Sequence, residues 1–343
     1  MTVGLVPDVR LVAAVPGWQP AAHLRINSGI RVALPTRWSD VKETYRRKNE
    51  IAPGQPPQTL SRQDFMAVRE VEGRYVPKDD WRPLSELELD AVLGMTDGGD
   101  LASTVQVLVA PEALVESARR SAAPHLALGA YDFDEGLMNI DQQHLAGVIG
   151  HLDDWLRGTL FSHAGWHRVS VRAGLAGRTS ASRSRGLHID RYGPRVIDQG
   201  PRKYSGSRLV INLTHETRHA VFINLRTFTI LQRHPELLSD PDVCDATSMA
   251  VTEPGAQGMM ASAFMEKVSS YPVIRLALEP GWGYLAPTTL IPHDGVPADK
   301  SDDMTLMASH KGDEAGLPLQ PPRYLESWKT KCLDALSQQR SHS

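Results

Sequence analysis

The sequence predicts an α+β protein in which a helix-rich N-terminal part precedes an antiparallel barrel or jelly roll. Two observations carry this expectation. Before about residue 157 the apolar residues recur mostly with a helical period, and after Ser162 the period falls to two. The strand-like runs of the second half also follow one another without long helices between them, which favours antiparallel pairing over parallel crossovers. A chain of 343 residues suits one elaborated domain or two closely packed ones.

The elements follow in order. The first 35 residues read as short strands, VRLVAAV and HLRINSGIRVALP, broken by glycine and proline. Ser39 and Asp40 can cap a helix over VKETYRRKNE, and the proline-rich IAPGQPPQ ends it. Ser61 heads RQDFMAVREVE, and Ser85 heads ELELDAVLGM before the turn TDGGD. Two more helices are expected over Pro111–Ala122 and Asp141–Arg157; in the second, Leu145, Val148, Ile149, Leu152, Trp155 and Leu156 form a core-facing stripe. Strands follow at WHRVSVRAG, RLVINL, AVFINLRTFTIL, PVIRLAL and GYLAP. From Glu236 to Ser270 runs an insertion too long for a simple strand connection. It reads either as a lid over a site or as a surface excursion with a short helix at Met259–Val268. A last helix is expected over YLESWKTKCLDAL. The organisation is therefore an N-terminal region over residues 1–160, a barrel over 161–323 and a helical tail over 324–343.

Composition narrows the function classes. Apolar residues at 41% and charged residues at 22% are those of an ordinary globular chain, and no apolar run approaches the roughly 20 residues of a membrane helix. The opening MTVGLVPDVRLVAAVPGW lacks a basic leader and uninterrupted apolar stretch, so a cytoplasmic protein is expected. Cys244 and Cys332 show no CxxC spacing, which sets aside a disulfide scaffold and a thiolate zinc site. A net charge of −3 offers no basic field for nucleic acid or an acidic membrane. Thirteen histidines remain as the notable feature, because imidazole is the commonest metal ligand.

Two of them stand in a chemically meaningful pattern. In GLHIDRYG, His188 and Asp190 are two apart in strand-like text, so their side chains leave one face about 7 Å apart and can converge on an ion. His293, at the end of the strand-like run in GWGYLAPTTLIPHDG, can join them from a neighbouring strand. Two histidines and one carboxylate on one face of an octahedral ion leave three positions open, the arrangement of non-haem iron(II) oxygenases.

This HxD motif in strand context, with a histidine after PGWGYLAPTTLIPHD far downstream, resembles the iron(II) and 2-oxoglutarate dependent oxygenase superfamily over roughly Trp166 to Gly312. The resemblance implies a double-stranded β-helix (a jelly-roll, cupin-like barrel). It also implies His188, Asp190 and His293 as iron(II) ligands, 2-oxoglutarate and dioxygen as cosubstrates, and a hydroxylation or related oxidation. Retention of Asp190 argues against halogenation, since halogenating relatives look to have lost that carboxylate. The chain departs from the pattern at one point. Family members place an arginine soon after the distal histidine to grip the cosubstrate carboxylate, and here the first is Arg323. The substitutes are His310 and Lys311 on the following strand, or Arg208, Arg226 and Arg275 on earlier ones, with Thr305 and Ser309 as hydroxyl partners.

A competing motif is present. His215, Glu216 and His219 in HETRH match the zinc-hydrolase pattern HExxH, whose chemistry needs a helix; the flanking RLVINL and AVFINL read as strands, so a hairpin connection is expected. His163 and His167 form a weaker pair. From Arg178 to Arg208 the chain is strongly basic, which reads as a site for an anionic ligand or as a solvated loop paired with acids elsewhere. Trp166, Tyr192, Tyr204, Trp282 and Tyr284 line a pocket on one reading and pack the barrel on the other. The reading of best fit is an iron(II) oxygenase acting on a small polar, anionic metabolite, with a zinc hydrolase and a non-catalytic barrel of the same fold as alternatives.

Overall fold

The structure, a computed structural model, describes residues 4–13, 15–32, 75–94, 103–127, 137–140, 144–157, 166–174, 186–190, 207–239, 254–296 and 303–310. The helices expected over VKETYRRKNE, RQDFMAVREVE and YLESWKTKCLDAL lie outside these residues. Lys311, Tyr192, Tyr204, His163 and most of the basic run between Arg178 and Arg208 do as well.

Two sheets dominate. The larger has seven strands in the order β1 (Arg10–Ala13), β5 (Thr104–Val109), β11 (Trp282–Ala286), β8 (Arg208–Asn212), β13 (Asp303–His310), β7 (Trp166–Gly174) and β6 (Leu137–Ile140). Only β1 and β5 run parallel. The smaller has four strands, β12 (His293–Val296), β9 (Arg218–Phe222), β10 (Ile274–Leu278) and β2 (Leu24–Ile26), all antiparallel. A short pair, β3 (Ile30–Val32) with β4 (Tyr75–Pro77), completes the described strands. The α+β class is as expected, and among the described residues the sheets do not close into a barrel.

The helices are α1 (Pro20–His23), α2 (Glu86–Val92), α3 (Glu112–Ala127), α4 (Ala146–Arg157), α5 (Thr227–Arg233) and α6 (Pro254–Lys267), with a 3-10 turn at Pro235–Ser239. Ser85 caps α2 as its sequence position predicts: its hydroxyl accepts from the Glu88 N–H, while the Glu88 carboxylate accepts from the Ser85 N–H at 2.8 Å.

Side-chain alternation sorts the core into three layers. Leu209, Ile211, Val169, Val171, Leu306 and Ala308 face the buried stripe of α3 and α4. Val105, Val107, Val210 and Tyr284 of one sheet meet Ala220, Phe222, Ile274 and Leu276 of the other. Val221 and Ile223, on the far side of β9, pack against Met260, Ala261 and Phe264 of α6. The layering is helix, sheet, sheet, helix, and the site lies between the sheets.

Three local readings change. TVQVLV forms the interior strand β5, and β1, β5, β6 and β2 carry N-terminal residues into both sheets. The run AVFINLRTFTIL splits into β9 and α5, because Thr227, Ile230 and Leu231 bury at i, i+3, i+4 spacing and override the β propensity of TFTI. The insertion contributes α6, whose Met260, Phe264 and Met265 are core, so this stretch packs against β9 as a fixed layer.

The pairing from 166 to 310 is nested. The first strand, β7, pairs with the last, β13; the segment at His188 bridges β12; β8 pairs with β11; and β9 pairs with β10. This brings residues far apart in sequence onto one inner surface.

Candidate metal centre

His188 and His293 form a mutual backbone pair, with His188 N–H donating to the His293 carbonyl at 3.0 Å and the reverse bond at 2.9 Å. Residues paired in this way in antiparallel strands project from the same face, and the two rings lie with centroids 4.8 Å apart. Asp190, two residues on, keeps that face; its N–H donates to the Thr288 carbonyl at 2.9 Å. One ligand atom from each of His188, Asp190 and His293 lies within 4.8 Å of the others.

Each imidazole is oriented by its other nitrogen. His188 Nδ1 faces the Gly186 carbonyl at 2.8 Å, and His293 Nδ1 faces the Ile291 carbonyl at 3.2 Å. A carbonyl only accepts, so each Nδ1 carries a proton, which makes Nε2 the nitrogen a neutral ring would offer to a metal. Gly186 has φ 72°, a conformation that favours glycine and turns its carbonyl back to the ring. The Nε2 atoms face Asp190, at 3.8 Å from Oδ1 for His188 and 3.5 Å from Oδ2 for His293. Oδ2 is buried and has no hydrogen-bond partner. Two Nε2 atoms and a carboxylate oxygen without a hydrogen-bond partner, all facing one another in a buried setting, form a donor set that suits a divalent cation.

Asp190 is ionised there. Burial pushes its carboxyl up, but the opposing influences, led by the Arg208 guanidinium, outweigh that and hold it well below the usual carboxylate range. Arg208 Nη1 lies 2.9 Å from Oδ1.

The other sequence candidates separate. Arg226 is committed elsewhere, with Nη2 2.7 Å from Asp8 Oδ1 at the start of α5. Arg275 lies over Trp81, 4.6 Å from the ring centroid, on the face of β10 opposite the inward Ile274 and Leu276. Neither is brought to the triad. His310 ends β13, and its side chain, like Lys311, falls outside what is described. Thr305 and Ser309 are buried on β13, Ser309 in register with Arg208.

HETRH lies in the connection between β8 and β9, but these strands belong to different sheets, so the expected hairpin is instead a turn that carries the chain from one sheet to the other; His215 is exposed in the turn and His219 is already on β9, so no helical turn aligns them. Among the described residues the only histidine–carboxylate group able to hold a metal is the triad. The residue of that motif that matters is its arginine. Arg218 shares the inner face of β9 with Ala220 and Phe222, and its guanidinium covers Gly295, two residues past His293. Its charge lies close enough to Tyr284 and Asp294 for both to offset the lowering that burial imposes on it. The signal was available: alternation from the inward Ala220 and Phe222 puts position 218 on the same face.

Tyr284 lies within reach of the charge of both arginines. Burial, opposed by Arg218 and Arg208, pushes its hydroxyl up to about 12, so it stays protonated and can donate. With His293 it lines a narrow cavity walled by Val105, Ala220, Phe222 and Ile291. Trp282 packs instead against His23, ring centroids 5.0 Å apart. Compared with known families and curated proteins, the chain matches no family model and no curated sequence.

Proposed function

We propose that this protein is a non-haem iron(II) oxygenase that uses 2-oxoglutarate. The observation that carries the reading is the triad: two histidines of fixed tautomer and one ionised aspartate, all presented from strand-like backbone into the space between two sheets. Iron(II) held by His188, Asp190 and His293 supplies activation of dioxygen coupled to oxidative decarboxylation of 2-oxoglutarate to succinate. The nested strand pairing from β7 to β13 supports a double-stranded β-helix as the scaffold.

The chain's own contribution is placement. Arg218 grips the distal carboxylate of 2-oxoglutarate in a charge-assisted pair, from the strand before the distal histidine instead of the strand after it. Tyr284 donates a hydrogen bond into the same space. Val105, Phe222, Leu276 and Ile291 wall the cavity beside Tyr284 and His293 and exclude water there. The substrate is a small anionic metabolite, a reading supported by the excess of basic residues in the sequence from Arg178 to Arg208.

The zinc-hydrolase alternative loses its geometric basis because HETRH forms the non-helical turn that carries the chain from β8 to β9. An anaerobic titration of iron(II) into the protein with 2-oxoglutarate tests the proposal. A visible metal-to-ligand charge-transfer band saturating at one iron per chain is expected, followed by succinate release on admission of oxygen. Absence of the band with both ligands in excess refutes it.

A further inference from the structure

The inference rests on the metal reading above and concerns how Asp190 is offered to an ion. Its two oxygens have different surroundings: Oδ1 receives Arg208 Nη1 at 2.9 Å, whereas Oδ2 is buried, has no hydrogen-bond partner and lies 3.5 Å from His293 Nε2. A carboxylate free on both oxygens can chelate a cation with both. A guanidinium on one oxygen takes up a lone pair there and repels a second positive charge from that side.

Arg208 is held firmly for such a task. It comes from β8 in the opposite sheet, in register with Ala286 of β11 and Ser309 of β13, and its side chain is only 16% exposed. The contact therefore crosses from one sheet to the other and ties the triad's carboxylate to the larger one. We infer that Arg208 is a positioning residue: it holds Oδ1, so that Asp190 gives an ion a single oxygen, Oδ2. The number of open positions follows. Two histidines and a one-oxygen aspartate leave three on an octahedral ion; a chelating aspartate leaves two. A 2-oxo acid binding through carboxylate and keto oxygen together with dioxygen requires three.

Manganese(II) is the probe, and the readout is the number of inner-sphere waters, from water-proton relaxation of the metal-loaded protein without any turnover. The wild type is expected to hold one manganese per chain with three waters. In Arg208→Met the aspartate chelates, and the inner-sphere contribution falls to about two-thirds. Arg208→Lys, which keeps the charge and a donor, returns towards the wild-type value. If Arg208→Met does not fold, Arg208→Gln, too short to hold Oδ1, is read in its place with the same expectation. An unchanged water count in a folded Met or Gln variant overturns the inference, as does complete loss of manganese from one. Failure of the wild type to bind manganese overturns the metal reading itself, a separate result.

Discussion

Gly295→Ala tests the placement of Arg218 without touching the arginine. A Cβ built on Gly295 would lie 2.7 Å from Arg218 Nη2, 3.6 Å from Cζ and 3.8 Å from Nε, and these are its nearest contacts. Comfortable non-bonded contact begins at about 3.5 Å, so the guanidinium must retreat by roughly 0.8 Å. A hydrogen bond of about 2.9 Å stretched by that amount is no longer one. Losing one charge-assisted bond removes about 1.5–3 kcal/mol, a factor of roughly 10 to 100 in affinity. The fold should tolerate the change. Only the mobile end of a side chain is in the way, and replacing glycine at an ordinary backbone conformation returns about 0.4–1 kcal/mol through the unfolded chain. The assay is calorimetric titration of 2-oxoglutarate into manganese-loaded protein without oxygen, with thermal melting alongside. Expected is a 10- to 100-fold rise in Kd with Tm within a few degrees of wild type. Arg218→Met should show a similar loss, and the double variant little more than either alone. An unchanged Kd in folded Gly295→Ala refutes the assignment of Arg218.

Three further outcomes are expected. His188→Ala and His293→Ala each abolish stoichiometric cobalt(II) binding measured by equilibrium dialysis, whereas His215→Ala, in the exposed turn, leaves it intact. Phe264→Ala, in the core between α6 and β9, costs about 3–5 kcal/mol in urea unfolding yet leaves metal stoichiometry unchanged in the folded fraction; full stability in this variant would remove α6 from the core. Glu88, bonded to Arg82 at 2.6 Å and 2.8 Å, has its carboxyl lowered to about 2, chiefly by that arginine. Because the folded value lies below the unfolded one, its stabilisation is present above about pH 4.5 and lost as pH falls towards 2. Solvent screening of the half-exposed Arg82 limits Glu88→Gln to about 1 kcal/mol at pH 7, a gap that closes in acid melts; a gap independent of pH contradicts the assignment.

Much of the scaffold was legible locally. The strands β7, β8, β10, β11 and β13 and the helices α2, α3 and α4 announce themselves by period and capping, which depend on neighbours a few residues away. Where a segment's partner is distant, local text misleads. TFTILQR is rich in strand-forming residues and becomes helix α5, because its buried contacts are with α6 and the Pro235–Ser239 turn. TVQVLV gives little sign of being central until β1 and β11 are seen on either side of it.

The site divides along the same line. Residue chemistry and i, i+2 spacing suffice to pick His188 and Asp190 as a pair and His293 as a third ligand from strand-like text, because ligand type and side-chain alternation are properties of the chain itself. Their convergence needed the His188–His293 backbone bridge. The arginines illustrate the limit more sharply. Arg208, Arg226 and Arg275 look equivalent as strand-borne cations, yet one reaches Asp190, one is bound to Asp8 and one lies over Trp81. Arg218, hidden inside a motif with another meaning, is the one that turns inward over Gly295. Which face a charge occupies and what it meets there depend on register between strands and on packing across sheets. That is a sum over contacts distant in sequence, and only the folded chain fixes it.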